Sequence, residues 1–210
     1  MIKVYRGGKL ECVLIKRDFA EAPIVRTSLN KESTISFSVD RDSEKAKYLT
    51  SDSKLEADGK FYTLRGEGAI ERDFKEYREI KIRANELYKD LEDVFPFPFI
   101  SNDPNTKKPA DFATIIVGGG TDLSGGRFKV GTAGHALFAV LNKTGWNVGE
   151  VDVSGIRDLE VEKKSVLGLI QEIQNIWGGY LVFDSREKLV SLRDENKWRN
   201  YSGFTINENK

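Results

Sequence analysis

The sequence predicts an α+β protein: a β-rich, barrel-like first domain over residues 1–95, then an α+β domain over 96–200 with two helices and antiparallel strands. Three observations carry this. Residues 34–39 and 79–84 alternate polar and apolar side chains, the period of a half-buried strand. A proline-aromatic break stands at 95–99. After it, a helical pattern followed by a glycine stop and a strand occurs twice.

The first elements read in order as follows. Residues 1–6 and 9–16 flank Gly7-Gly8 and predict a hairpin. In 34–39, Ile35, Phe37 and Val39 point inward. Short helices are expected over 43–49 and 85–93, and a short strand over 61–64 after the turn pair Asp58-Gly59. Short strands separated by turn signals predict a small barrel or a sandwich. Pro96 and Pro98 then exclude helix over 95–99, and 102–109 reads as loop, which places the domain boundary near 95–100.

In the second half, Thr132 is placed to cap a helix over 133–143. Its apolar face is Ala133, Ala136, Leu137, Val140 and Leu141, and Gly145 lies past its end. A strand follows near 148–153. A second helix over 164–177 puts Val166, Leu167, Ile170, Ile173 and Trp177 on one face and stops at Gly178-Gly179. Residues 180–183 form a strand, 184–188 turn, and 189–192 return antiparallel. Phe204 and Ile206 keep strand spacing, so 201–210 is expected to return to the first domain.

The composition is 39% hydrophobic and 31% charged, which supports a packed core under a solvated surface. The 33 basic and 33 acidic residues cancel, so no specific nucleic-acid binding and no pull toward an anionic membrane is expected. No apolar run approaches the ~20 residues that span a bilayer, and residues 1–6 lack the core of a signal peptide. No membrane anchor is therefore expected, and synthesis in the cytoplasm is. Cys12 stands alone, which excludes an internal disulfide and reads as an inert, buried thiol.

The search for chemistry yields no catalytic, cofactor-binding or metal-ligating residue. His135 is the one histidine; with one cysteine it supplies no zinc set, and no Gly-x-Ser-x-Gly elbow accompanies it. A packing or surface role is expected for it. Residues 118–127 lack the Gly-Lys-Ser/Thr ending of a phosphate loop. Residues 66–71 begin like a dinucleotide fingerprint, but Glu71 stands where the third glycine belongs. Glu71 with Asp73, or Asp90 with Glu92 and Asp93, would be acid/base pairs only at the right separation, and a solvated face is the default. Phe95, Phe97 and Phe99 either stand exposed, stacking on sugars or filling a partner's groove, or are buried and pin the domains together; the buried reading is preferred. Trp146 and Trp177 are expected in the core.

One ordered set of motifs goes further. Thr144-Gly145-Trp146-Asn147-Val148-Gly149 is followed by Val151-Asp152-Val153 and Arg157-Asp158-Leu159-Glu160. Then come Ile173-Gln174-Asn175-Ile176-Trp177-Gly178-Gly179, Leu181-Val182-Phe183-Asp184 and Val190-Ser191-Leu192. This series resembles the N-terminal hub region of the tail-associated lysin or tail endopeptidase family of phage and prophage tail proteins, which look like relatives of the baseplate hub of contractile-tailed phages. The resemblance spans about residues 20–206 and is densest over 132–192. It implies a barrel-like domain with an α+β domain inserted, in a structural component of the virion tail tip. It also implies a homotrimeric ring around the DNA channel, with the distal tail protein and the tape-measure protein as partners. Lytic activity in that family belongs to regions after the hub, so no enzyme and no cofactor is expected here. The alternatives are a cell-wall-degrading peptidase or glycosidase of the tail, and a carbohydrate-binding module for host-surface recognition.

Overall fold

The alternating segments at 34–39 and 79–84 become neighbours in one antiparallel sheet. In the computed structural model the described residues are 1–27, 33–66, 68–72, 78–96, 99–100, 115–117, 125–161 and 163–199. The chain divides into two units, Met1–Asp90 with Ser185–Glu187, and Leu91–Asp184 with Lys188–Lys210. Residues 102–109 and the 201–210 segment lie outside the described residues.

The first unit holds β1 (Ile2–Arg6), β2 (Lys9–Leu14), β3 (Phe19–Arg26), β4 (Thr34–Asp40), β5 (Lys54–Ala57), β6 (Lys60–Thr63), β7 (Ile70–Arg72) and β8 (Glu79–Glu86). They form one sheet in the order β2-β1-β5-β6-β8-β4-β3, with β7 added to β8. Every pairing is antiparallel. Alternation decides which side is buried: Ile35, Phe37 and Val39 of β4 and Ile80, Ile82 and Ala84 of β8 share a core with Val4, Leu14, Leu55 and Tyr62. Cys12 is partly buried against this core, and burial pushes its thiol pKa up, away from the reactive thiolate.

The unit is α+β only in company with the second; by itself it is a sheet, and that sheet is not closed into the barrel expected. Among the described residues its end strands, β2 and β3, pair with one neighbour each. The cause is legible in β3. Pro23 has no N–H to donate, and two register shifts interrupt the strand's ladder with β4, so its outer side offers no regular row of partners.

The two helices expected here are short 3-10 segments, one turn at Ala46–Tyr48 and two at Leu87–Glu92. Ser53 Oγ donates to Tyr48 O and ties off the first. The second begins late because Asn85 and Glu86 complete the ladders of β8 with β4 and β6. Sheet pairing there overrides local helical preference.

Burial of polar groups marks one corner of this core. Glu86 is buried; its Oε2 accepts from Lys60 Nζ at 2.9 Å, while Oε1 has no hydrogen-bond partner among the described residues. Tyr62, its cross-strand partner, is buried with its hydroxyl likewise unpartnered. Burial, then the charges of Glu86 and Asp58, push the Tyr62 pKa from 10.0 up to about 12. An acid with a raised folded pKa stabilises fully below its unfolded value, and the contribution is lost as pH rises through the folded value. Thermal melts should therefore fall between about pH 10 and about pH 12, and Tyr62→Phe should flatten that fall. At neutral pH the variant should match or exceed the parent, because a buried unpartnered hydroxyl costs about 1–3 kcal/mol.

Among the described residues the second unit has two longer helices, α1 (Ala133–Leu141) and α2 (Val166–Trp177), and a short third one, α3 (Glu195–Arg199). Thr132 Oγ1 accepts from His135 N and Ser165 Oγ from Gly168 N, so each helix has its side-chain N-cap. One three-stranded sheet orders β11 (Asn147–Val151), β14 (Leu189–Arg193) and β13 (Tyr180–Asp184) as β11-β14-β13. Here β14 runs parallel to β11 and antiparallel to β13. A second sheet orders β9 (Phe99–Ile100), β10 (Ile115–Val117) and β12 (Leu159–Val161) as β12-β10-β9. The helices and strands expected at 133–143, 148–153, 164–177, 180–183 and 189–192 are all present, each shifted by one or two residues. Both Trp146 and Trp177 are only 6% exposed, as core residues should be. Trp146 meets Phe183 edge to face at 6.3 Å, and Trp177 Nε1 donates to Gly155 O at 3.1 Å. Gly178 and Gly179 both have positive φ, 77° and 88°, which turns the chain from α2 straight into β13.

Candidate interaction cleft

The side of the first sheet that faces away from its core is built from the polar half of the same alternation. On β8 these positions are Lys81, Arg83 and Asn85; on β4 they include Ser36. Registers place them in rungs. Glu71, Lys81, Ser38 and Glu21 line up across β7, β8, β4 and β3; Arg83, Ser36 and Ile24 form the next rung.

A cleft of about 710 Å³ lies over these rungs. Ser36, Lys81, Arg83 and Asn85 are on its floor side, Glu21 and Ile24 come from β3, and Arg65, Gly66, Ala69 and Glu71 complete the lining. The rim follows from topology. Both β6 and β7 pair with the same side of β8, β6 at residues 85–86 and β7 at 80–82. The chain must leave β6 and rejoin β8 further along, and Arg83 N donates to Ala69 O at 3.0 Å where it returns. Gly66 has φ +106°, a conformation open to glycine, at the start of that excursion.

The electrostatics of the cleft are mixed. Arg65 lies 4.0 Å from Asp90. Lys81 and Arg83 are exposed and have no ion pair among the described residues. Ile24 is 54% exposed, a large apolar side chain left in solvent beside the second rung.

The residues singled out in the sequence are scattered. His135 is fully buried in α1. Residues 68–71 lead into a strand and not into a helix, so the fingerprint-like start has no helix N-terminus to offer a phosphate. Glu71 lines the cleft, while its companion Asp73 lies outside the described residues. Asp90 faces Arg65, and Glu92 closes the 3-10 turn. Of 118–127, residues 118–124 lie outside the described residues. Phe95 is 60% exposed, against the expectation of burial; Phe97 lies outside the described residues and Phe99 begins β9. Among the described residues no three His, Cys, Asp or Glu side chains gather as metal ligands, and no helix is long and apolar enough to cross a membrane. The cleft itself was missed, although its signal was present: three hydrogen-bonding side chains at the outward positions 81, 83 and 85 of one strand.

With α1, α2 and the β11-β14-β13 sheet in place, the likeness to known proteins can be located. Residues 129–192 match the prophage endopeptidase tail domain. The matched segment starts just before α1 and ends in β14, so it contains both capped helices and the strands after each. The fold is similar to that of the prophage tail protein gp18 from Listeria monocytogenes EGD-e, with a TM-score of 0.59 at 16% identity, over 91% of this chain and 50% of that one. It is also similar to the tail protein from Neisseria meningitidis MC58, with a TM-score of 0.54 at 13% identity, over 93% of this chain and 51% of that one. The chain thus spans about half the length of these tail proteins. No curated protein matches it. The matched tail domain and the two likenesses together support a phage or prophage tail protein.

Proposed function

We propose that the chain is a structural component of a phage or prophage tail tip, forming part of the baseplate hub. In this reading three copies close a ring around the DNA channel, in contact with the distal tail protein and the tape-measure protein. The protein is made in the bacterial cytoplasm and ends in the virion tail tip. The observation that carries the reading is the joint placement of the matched tail domain at 129–192 and a fold likeness to a prophage tail protein over 91% of the chain. The open sheet supports it physically. A heterologous contact whose rotation is threefold closes into a ring, and β2, which pairs with one neighbour among the described residues, offers a sheet edge for such a contact.

The solution mass by light scattering across a concentration series tests this. A species three times the 23.7 kDa chain is expected as concentration rises. A monomer at every concentration, for this chain and for a version extended to the length of its structural likenesses, would sink the ring.

A second reading is a tail peptidase, and the description of the matched domain as an endopeptidase tail domain favours it. The cleft does not add to it: among the described residues its lining holds no histidine, cysteine or serine-histidine pair. Hydrolysis of peptidoglycan by the purified chain, lost on Glu71→Gln, would establish the enzyme over the hub.

A further inference from the structure

We propose that the outer-face cleft of the first unit binds an extended, acidic segment of a partner protein. The inference stands on the cleft and is independent of the hub reading. Lys81 and Arg83 are exposed on the cleft floor, two residues apart on β8, without an ion pair among the described residues. Their spacing along the strand is about 6.8 Å, which is also the repeat of alternate side chains in any extended peptide. Carboxylates at positions i and i+2 of such a segment would therefore meet both cations at once, and Arg83 can hold its carboxylate in a bidentate fork.

The rest of the lining selects among anions. Ile24 sits on the same rung as Arg83 and Ser36, at its β3 end, and adds one exposed apolar side chain there. Carboxylates at alternate positions of an extended segment fit that arrangement, the residues between them facing away from the floor. A polyphosphate does not, because Glu21 and Glu71 flank the cations on the Lys81 rung and repel continuous negative charge. Among the described residues a sugar has no exposed ring to stack on, since Phe37, the one aromatic residue they contribute to the lining, is buried. Asn85 and Ser36 supply donors and acceptors for a peptide backbone. The volume, about 710 Å³, lies in the range of about 300–1,000 Å³ found for binding clefts.

The test is fluorescence anisotropy of the full chain with a labelled peptide of sequence Glu-Val-Glu-Val-Glu at low salt, beside its Gln-Val-Gln-Val-Gln and Lys-Val-Lys-Val-Lys counterparts. Saturable binding of the acidic peptide alone is expected, weakened at least about tenfold by Lys81→Glu with Arg83→Glu. The charge-reversed protein should bind the lysine peptide instead. Both side chains are exposed, so the variant keeps its fold, which circular dichroism melts would verify. Three results overturn the proposal: no saturation of the acidic peptide up to about 1 mM, equal binding by the charge-reversed protein, or displacement of the peptide by tripolyphosphate at lower concentration than by unlabelled peptide.

Discussion

Gly179→Ala should cost about 2–4 kcal/mol of stability in the second unit. Two penalties coincide there. The residue has φ +88°, which costs an L side chain about 1–2 kcal/mol. An added Cβ would also lie 2.5 Å from Arg193 O and 2.8 Å from Val153 Cγ1. The carbonyl belongs to β14 and cannot swing aside without opening its ladder with β13. Its neighbour supplies the control: Gly178 has φ +77° and no atom within 4 Å of a new Cβ. Gly178→Ala should therefore show the conformational penalty alone. Urea denaturation followed by tryptophan fluorescence reads the difference cleanly, because Trp146, Trp177 and Trp198 all belong to the second unit. Equal midpoints for the two variants would show that the close approach to β14 carries no cost.

Lys60→Met should destabilise the first unit by about 3 kcal/mol. It strips the buried Glu86 carboxylate of the cation 2.9 Å away and leaves a charge in the core beside the Tyr62 ring. The figure is set at the low end of the range for broken buried pairs, since the Lys60 side chain is 36% exposed and water screens it. Pairing Lys60→Met with Glu86→Leu should recover most of the loss, because removing both charges leaves nothing unpaired. Guanidinium unfolding by far-UV circular dichroism checks the pair; a double variant no more stable than the single one would mean that Glu86 is not held by Lys60.

The sequence showed what periodicity and breaking residues can show. The helices α1 and α2 were legible because Thr132 and Ser165 begin apolar faces at helical spacing and glycines end them. Strands β4 and β8 were legible because alternation there is unbroken. Strand β3 was not, since two bulges shift the register and put Ala20, Glu21, Ala22 and Ile24 all in solvent. The segment after β8 reads as helix because Glu86-Leu87-Tyr88-Lys89 has helical composition, while the pairing that draws Glu86 into the sheet comes from Tyr62, far away in sequence. The cleft was hidden for a related reason. Lys81 and Arg83 read as an ordinary solvated face until the detour between β6 and β7 is known to wall one side of it.

The parallel pairing of β11 with β14 sets an order on biosynthesis. The hairpin of β13 and β14 closes locally, but β11 must wait for a strand that begins about forty residues later, at Leu189. At ribosomal rates of roughly 5–20 residues per second, the interval lasts roughly 2–8 s, far longer than a hairpin or helix needs to form. During it the amides of Asn147–Val151 have no strand ladder, and the nascent chain is most open to mispairing with a neighbour on the same message.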